Sequence, residues 1–392
     1  MKLPARNRVG IVLTLAVSVL LLIPGAAVSA PGGDAALTVA DVEFLGEVTI
    51  PTGTQFAGTE IGGLSSITFD SGRNVYHVVS DDQGNRPTGD PVRYYSVEMD
   101  LTSGALEDDG VAFVDVATLF EDKKTTFAPG GLDPEGFTLA REGFFYFSSE
   151  GNIFADPIID PFIRRYNTQG RMTADLPIPA KYLPNGVDWG VRFNLGFESL
   201  NITPDGRLLV TAGEAALFQD GPAATFTNGS LARILVFDIA QREPVAEYVY
   251  EVAPWAEPSA IFGVNGIVEV MPIDNVGTML VMERSFSVGG VLGGGTGNVV
   301  IINEISTAAA TDVLHLDALY ESGTPVPVDP VDKRQVFAFD DLGIPIDNIE
   351  GMTFGPDLAD GRKTLVIVSD NNFNAGQFTQ FIVLALDLEP AS

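Results

Sequence analysis

The sequence predicts an all-β protein built from repeated hairpin units, and three observations predict it. First, one pattern recurs five times: a short strand, a turn rich in Gly, Asp or Pro, and a second strand closing on a carboxylate. It appears at 62–82 ("GGLSSITFDSGRNVYHVVSDD"), 131–151 ("GLDPEGFTLAREGFFYFSSEG"), 195–215, 264–286 and 348–372. Second, the turns "DSGRN", "PDGR" and "LADGRK" carry the residues that tight hairpins require. Third, a further strand follows each hairpin: "VRYYSVEMD", "FIRRYNTQG", "LARILVFDIA", "NVVIINEIS" and "FIVLALDLE".

In four units a fourth, weaker strand can be drawn, such as "VAFVDVATL" or "VAEYVYEV". The last unit has none, and the leading strand "DVEFLGEVTIP" belongs to no unit. Pairing the two closes a ring. Four-stranded units in a closed ring describe a β-propeller, which leaves only short sheet edges. Five units are counted, and a sixth, degenerate blade has room in 305–346 or 155–195. Segment 112–124 is expected to end in one helical turn, and the Gly-rich 289–298 reads as a flexible loop.

Composition narrows the function. Of 392 residues, 52 are acidic and 22 basic, a formal net charge of −30. Such a surface repels nucleic acid and anionic membranes. No cysteine is present, which excludes thiolate nucleophiles, disulfides and zinc–cysteine sites. With only two histidines, a multi-histidine metal centre is disfavoured, and no G-x-S-x-G elbow supports serine catalysis. The first 30 residues read as a secretory signal peptide: basic Lys2, Arg6 and Arg8, a short apolar run at 11–23, and small residues ending at Ala30. The alternative, an uncleaved anchor, needs about 20 apolar residues. Residues 31–392 are then a single exported domain, secreted or periplasmic, without stable membrane insertion and expected to be monomeric.

Aligning the five units puts Ser65, Glu135, Glu198, Gly266 and Glu350 where the first strand opens. It puts Asp81, Glu150, Glu214, Glu283 and Asp370 where the second closes. Antiparallel pairing sets both positions at one end of the hairpin. In a propeller that end rims the central channel, so about eight carboxylates gather at one mouth. Acids in such numbers either take up protons or hold cations, and calcium, with six to eight oxygen ligands, suits them. The expected metal ligands are therefore Asp81, Glu135, Glu150, Glu198, Glu214, Glu283, Glu350 and Asp370. The competing reading is structural: strand-end acids also form turns and blunt edges. Arg86, Arg192 and Arg284 lie near the acids in sequence and are candidates to grip an anionic substrate, or else partners of local acids. His77 shares a strand face with Asp81 and is a candidate base, or a packed histidine.

"GGLSSI", "DPEGFT", "GFESL" and "DNIEGMTFGP" followed by "SDNN" resemble the bacterial phytase-like proteins, described as having esterase-like activity of phytase, over about residues 45–390. The resemblance implies a β-propeller and hydrolysis of phosphate esters, with calcium in an acidic cleft as in β-propeller phytases. Glu135, Glu198 and Glu350 match the family's recurrent acids and Asp370 its closing motif, while Ser65 and Gly266 depart from the pattern. The leading expectation is a calcium-dependent phosphoester hydrolase for a small phosphate ester, with Glu198 and Glu350 catalytic. The alternatives are a calcium-dependent lactonase or carboxylesterase, and a non-enzymatic propeller that binds calcium for stability.

Overall fold

The computed structural model describes residues 35–122 and 125–391. The expected signal peptide lies outside them. The described residues form five four-stranded antiparallel sheets; four are meanders that follow one another along the chain, and the fifth joins the two ends of the chain. Blade 1 holds Leu64–Asp70, Val75–Ser80, Arg93–Met99 and Val111–Thr118. Blade 2 holds Pro134–Leu139, Phe145–Ser149, Phe162–Tyr166 and Met172–Leu176. Blade 3 holds Asn201–Ile202, Leu208–Ala212, Ser230–Asp238 and Glu243–Val252. Blade 4 holds Gly263–Pro272, Thr278–Ser287, Asn298–Ser306 and Asp332–Ala338.

Blade 5 takes three strands from the end of the chain, Asn348–Phe354, Lys363–Asp370 and Phe378–Pro390. Its fourth is the leading strand Leu37–Pro51, paired antiparallel with Phe378–Pro390 from Leu37 opposite Pro390 to Pro51 opposite Phe378. The ring is thus closed by the N-terminal strand, as the leftover strand predicts. Both windows considered for a sixth blade are used otherwise: 155–195 supplies the outer half of blade 2, and 305–346 the outer strand of blade 4 and a small hairpin. Of segment 112–124, the described residues up to Asp122 give an outer strand of blade 1 and the short strand Phe120–Asp122, with no helical turn among them; the last two positions of the segment lie outside the described residues. Among the described residues no helix is long and apolar enough to cross a membrane.

The apolar core is divided among the five junctions between blades. Phe137, Phe145 and Phe147 of blade 2 pack with Val79 and Tyr94 of blade 1. Ile163 and Tyr146 meet Phe197 and Leu235 across the next junction, and Val236 and Tyr250 meet Ile267 and Val281 across the one after. Met282 and Val300 meet Met352 and Leu384, and Val366 and Phe381 return to Ile67 and Val97. Each fully buried aliphatic side chain is worth about 1.5–3 kcal/mol. Because every blade is packed on two sides, the channel ends of the innermost strands are fixed in place.

Candidate active site

In every blade the innermost strand runs away from one face of the ring and the second strand returns to it. The two ends meet there. Asp81 N–H donates to Gly63 O at 2.7 Å, Glu150 N–H to Asp133 O at 3.3 Å and Glu214 N–H to Gly196 O at 2.8 Å, the same closing bond in three blades. A β-bulge follows it in the first strand. It falls on Ser65 in blade 1, between Leu64 and Ser66, and on Glu350 in blade 5, between Ile349 and Gly351. A bulge re-aims a side chain, and here it turns Glu350 into the channel instead of along the apolar face.

Eight carboxylates act on one another at this mouth: Asp81, Asp133, Glu135, Glu150, Glu198, Glu214, Glu350 and Asp370. Glu135, Glu150, Glu198, Glu214, Glu350 and Asp370 are all buried. Burial and mutual repulsion hold Asp81, Glu135 and Glu198 well above the usual carboxylate range. Burial, with Asp133 and Glu214 beside it, pushes Glu150 up to about 8. Burial, with Glu350 beside it, takes Asp370 to about 8. Glu214 rises by burial only to about 7, because Arg284 opposes the rise.

Arg284 is the cation inside this group. Its Nη1 donates to Glu350 Oε1 and to Asn348 Oδ1, and its Nη2 lies 3.4 Å from Glu214 Oε1. Burial works to lower its pKa, but Glu350, Glu214 and Glu198 outweigh that and raise it. Asn348 Nδ2 in turn donates to Glu350 Oε1 at 2.8 Å and to Asp370 Oδ2 at 3.3 Å. Among the described residues, the buried Arg284 Nε donor and Asp81 Oδ1 acceptor of the mouth have no hydrogen-bond partner.

Two carboxylate triads present ligand oxygens within 4.8 Å of one another, Asp133–Glu135–Glu150 and Glu150–Glu198–Glu214. They share Glu150, whose Oε1 accepts the Gly196 N–H. The donors are hard oxygens throughout, which fits a hard divalent cation such as calcium. Glycine makes the room: a Cβ on Gly266 would stand 2.2 Å from Glu214 Cγ, and Gly63, at φ +63°, would bring one to 2.0 Å from Asp81 Oδ1.

Several expected residues lie elsewhere. Glu283 is buried but leaves the mouth: Tyr250 Oη and the amides of Ala253, Asn265 and Asn303 donate to it, and Lys333 pairs with it at 3.0 Å. The blade 4 register explains the shift. Ile267 faces Glu283 and Gly266 faces Arg284, with the bulge on Val268, before Glu269. Arg284 therefore occupies the place that Asp370 holds in blade 5, and Val268, not Gly266, is the counterpart of Glu350. His77 is four residues from the mouth, about 13 Å along a strand. It is packed against Tyr94 and Phe145, hydrogen-bonded to Ser96 Oγ at 3.0 Å, and lowered by burial to about 4. That is a packed neutral histidine rather than a base at the acids.

Arg86 is held by Glu60 at 2.6 Å and by Asp82 at 3.5 Å, over the Phe373 ring. Arg192 donates to Ala216 O and Gly221 O and ties two loops together. Of the three arginines expected to bind substrate, only Arg284 joins the acids. The expected set also omits two acids. Asp133 stands two residues before Glu135 in "DPEGFT", so the signal for it was present. Glu269 lies deeper in the channel, where Ser66 Oγ is 3.5 Å from its carboxylate, and burial raises it to about 8. Its register counterparts are small, Ser66 and Gly351. The far end of the channel opens into a separate recess of about 530 Å³ lined in part by Thr68, Thr138, Asn201 and Thr353.

The chain is similar to several known proteins. A curated relative from Arthroderma benhamiae, described as an uncharacterized secreted protein, is 27% identical over 203 residues; the match spans 44% of this chain and 37% of that one. Hydrazine synthase of Kuenenia stuttgartiensis superposes with a TM-score of 0.38 at 14% identity, over 82% of this chain and 80% of the other. A periplasmic gluconolactonase of Pseudomonas aeruginosa gives 0.33 at 12% identity, over 84% and 89%. Superpositions at these scores carry no information about ligand or reaction. The family model for the phytase-like proteins, described as esterase-like activity of phytase, matches residues 59–373. It covers all five hairpins and the acids of the mouth, and the chain belongs to the phytase-like family.

Proposed function

We propose that the protein is an exported, calcium-dependent hydrolase of small phosphate esters that works at the acidic mouth. The observation that carries the reading is the imbalance of charge: eight interacting carboxylates around Arg284, with an unpaired donor and an unpaired acceptor buried among them. Buried charges are ordinarily paired or coordinate a metal. Asp133, Glu135, Glu150, Glu198 and Glu214 would hold the ions. Bound calcium supplies a Lewis acid that offsets the phosphate charge and activates water.

The chain's own residues do the rest. Arg284, oriented by Glu350 and Asn348, offers its free Nε–H to a phosphate oxygen. Glu350, fixed by Arg284 and Asn348, is the group to accept a proton from attacking water. Glu198 would help to hold the ion, together with Glu150 and Glu214. Export is supported by the signal-peptide pattern and by the relative described as secreted.

The test is phosphate release by residues 31–392 from phytate and from an aryl phosphate, with calcium and then with chelator. The expected result is release that needs calcium and is lost in Glu198→Gln and Glu350→Gln. No release, or hydrolysis of lactones and acetates in its place, would overturn the phosphoesterase reading.

A further inference from the structure

The loops that surround the mouth differ from one side to the other. Chain direction places the loops joining second to third strands, and those entering each blade, on the face where the acids lie. On the side of blades 2 to 4 these loops expose large apolar side chains. Phe154 is 75% exposed and Phe193 50%, and their rings pack together at 4.7 Å. Phe154 lies four residues after Glu150, and Phe193 five before Glu198. Above blade 4, Ile261 is 79% exposed, Phe262 54% and Val291 75%, with Leu292 next to it.

These side chains are held on pinned backbone. Asn152 Oδ1 accepts the Phe154 N–H at 2.9 Å, and Ser259 Oγ accepts the N–H groups of Ile261 and Phe262 at 3.2 Å. Glu257 Oε2 accepts those of Val291 and Leu292 at 2.9 and 3.0 Å. An apolar group exposed on fixed backbone costs hydration without gaining a core contact, and grouped exposure of this kind marks a binding surface.

Resting on the phosphoesterase reading above, we propose that the substrate is an amphiphilic phosphate ester. Its phosphate enters the acidic mouth, and its alkyl or aryl group lies on the apolar crescent carried by Phe154, Phe193, Ile261, Phe262, Val291 and Leu292. The occupant is a dissolved ester and not a bilayer. A net charge of −30 opposes approach to an anionic membrane, and Arg86 and Arg192, the arginines nearest the rim in sequence, are already engaged by protein groups. A single polar head beside a crescent of apolar side chains matches one amphiphile at a time.

The experiment separates this inference from the reaction it rests on. Non-hydrolysable alkylphosphonates from methyl to octyl are titrated calorimetrically into the full mature chain with calcium. Affinity is expected to tighten about fourfold per methylene over the first several carbons, the gain of burying each on an apolar surface. The double substitution Phe154→Ser and Phe193→Ser should flatten that series, the loss of affinity growing with chain length and smallest for methylphosphonate. Affinity independent of chain length in the native protein would overturn the inference even if phosphate esters are hydrolysed. Co-sedimentation with phosphatidylcholine vesicles, with no gain along the alkyl series, would overturn it in favour of a membrane surface. Chain-length-dependent binding without phosphate release would keep the crescent and remove the phosphoesterase reading alone.

Discussion

Two groups of buried charges in this molecule are handled in opposite ways. At the outer part of blade 3, Asp220 and Glu247 are buried with Arg233, Lys181 and Tyr182. Arg233 Nε and Nη2 donate to Asp220 at 2.5 and 2.9 Å, and its Nη1 to Glu247 at 2.5 Å. Lys181 Nζ reaches Glu247 at 2.9 Å and also donates to the carbonyls of Leu314 and Leu316, and Tyr182 Oη donates to the other Glu247 oxygen at 2.6 Å. Two acids meet two bases there, and every charge has a partner. At the mouth the acids outnumber Arg284 by eight to one. The clamp is complete within the chain and fastens loops, whereas the mouth is balanced only by protons or by a cation from outside.

That contrast predicts opposite responses to the same chemistry. Glu247→Gln leaves Lys181 and Arg233 short of a buried counter-charge and should cost ~3–5 kcal/mol in chemical denaturation. Its calcium affinity, measured on the fraction that folds, should not change. Glu150→Gln removes the carboxylate shared by both triads, so calcium-dependent turnover should fall more than about 100-fold, beyond the range for an outer-shell partner. The same substitution should raise the melting temperature of the calcium-free protein at pH 9, since it removes repulsion. A fall there would mean that Glu150 serves as scaffolding.

The pH dependence sharpens the comparison further. Glu150 and Asp370 titrate near 8 in the folded protein and near the ordinary carboxylate value when unfolded. Between those values the folded state binds more protons, so these two groups make calcium-free stability fall as pH rises from about 4 to about 8. Calcium should flatten that slope, and thermal melts at pH 5, 6, 7 and 8 with and without chelator would read it. The smallest effect is expected at His77: His77→Gln should lower stability by disturbing its contacts with Tyr94 and Phe145, while kcat changes less than about twofold, far below the 10²–10⁴-fold of a true general base. A change of that larger size would return His77 to the reaction.

The fold was legible because each of its signals is local. Strand, turn and strand lie within some twenty residues, and "DVEFLGEVTIP" had no partner except the end of the chain. The mouth was legible because antiparallel pairing turns sequence recurrence into spatial proximity. Blade 4 misled because its acid stands one residue early: Glu283 falls where blade 5 has Ser369, and Arg284 falls where it has Asp370. Sequence recurrence alone cannot tell two adjacent strand positions apart, so the slip shows only in the pairing. Glu269 was hidden by its apolar neighbours in "GIVEVMP", and Arg86 and Arg192 could not be told from substrate ligands until Glu60, Asp82 and the carbonyls of Ala216 and Gly221 were seen to hold them.

Whether the mouth takes a cation from outside the chain can be read in one titration. Metal-stripped protein is titrated with calcium at pH 7.5 in two buffers of different ionisation heat, so that binding and proton release are measured together. Saturable binding that displaces protons from the mouth is expected, abolished by Glu150→Gln and retained in Glu247→Gln. Absence of calcium binding, or binding without proton release that survives Glu150→Gln, would contradict it.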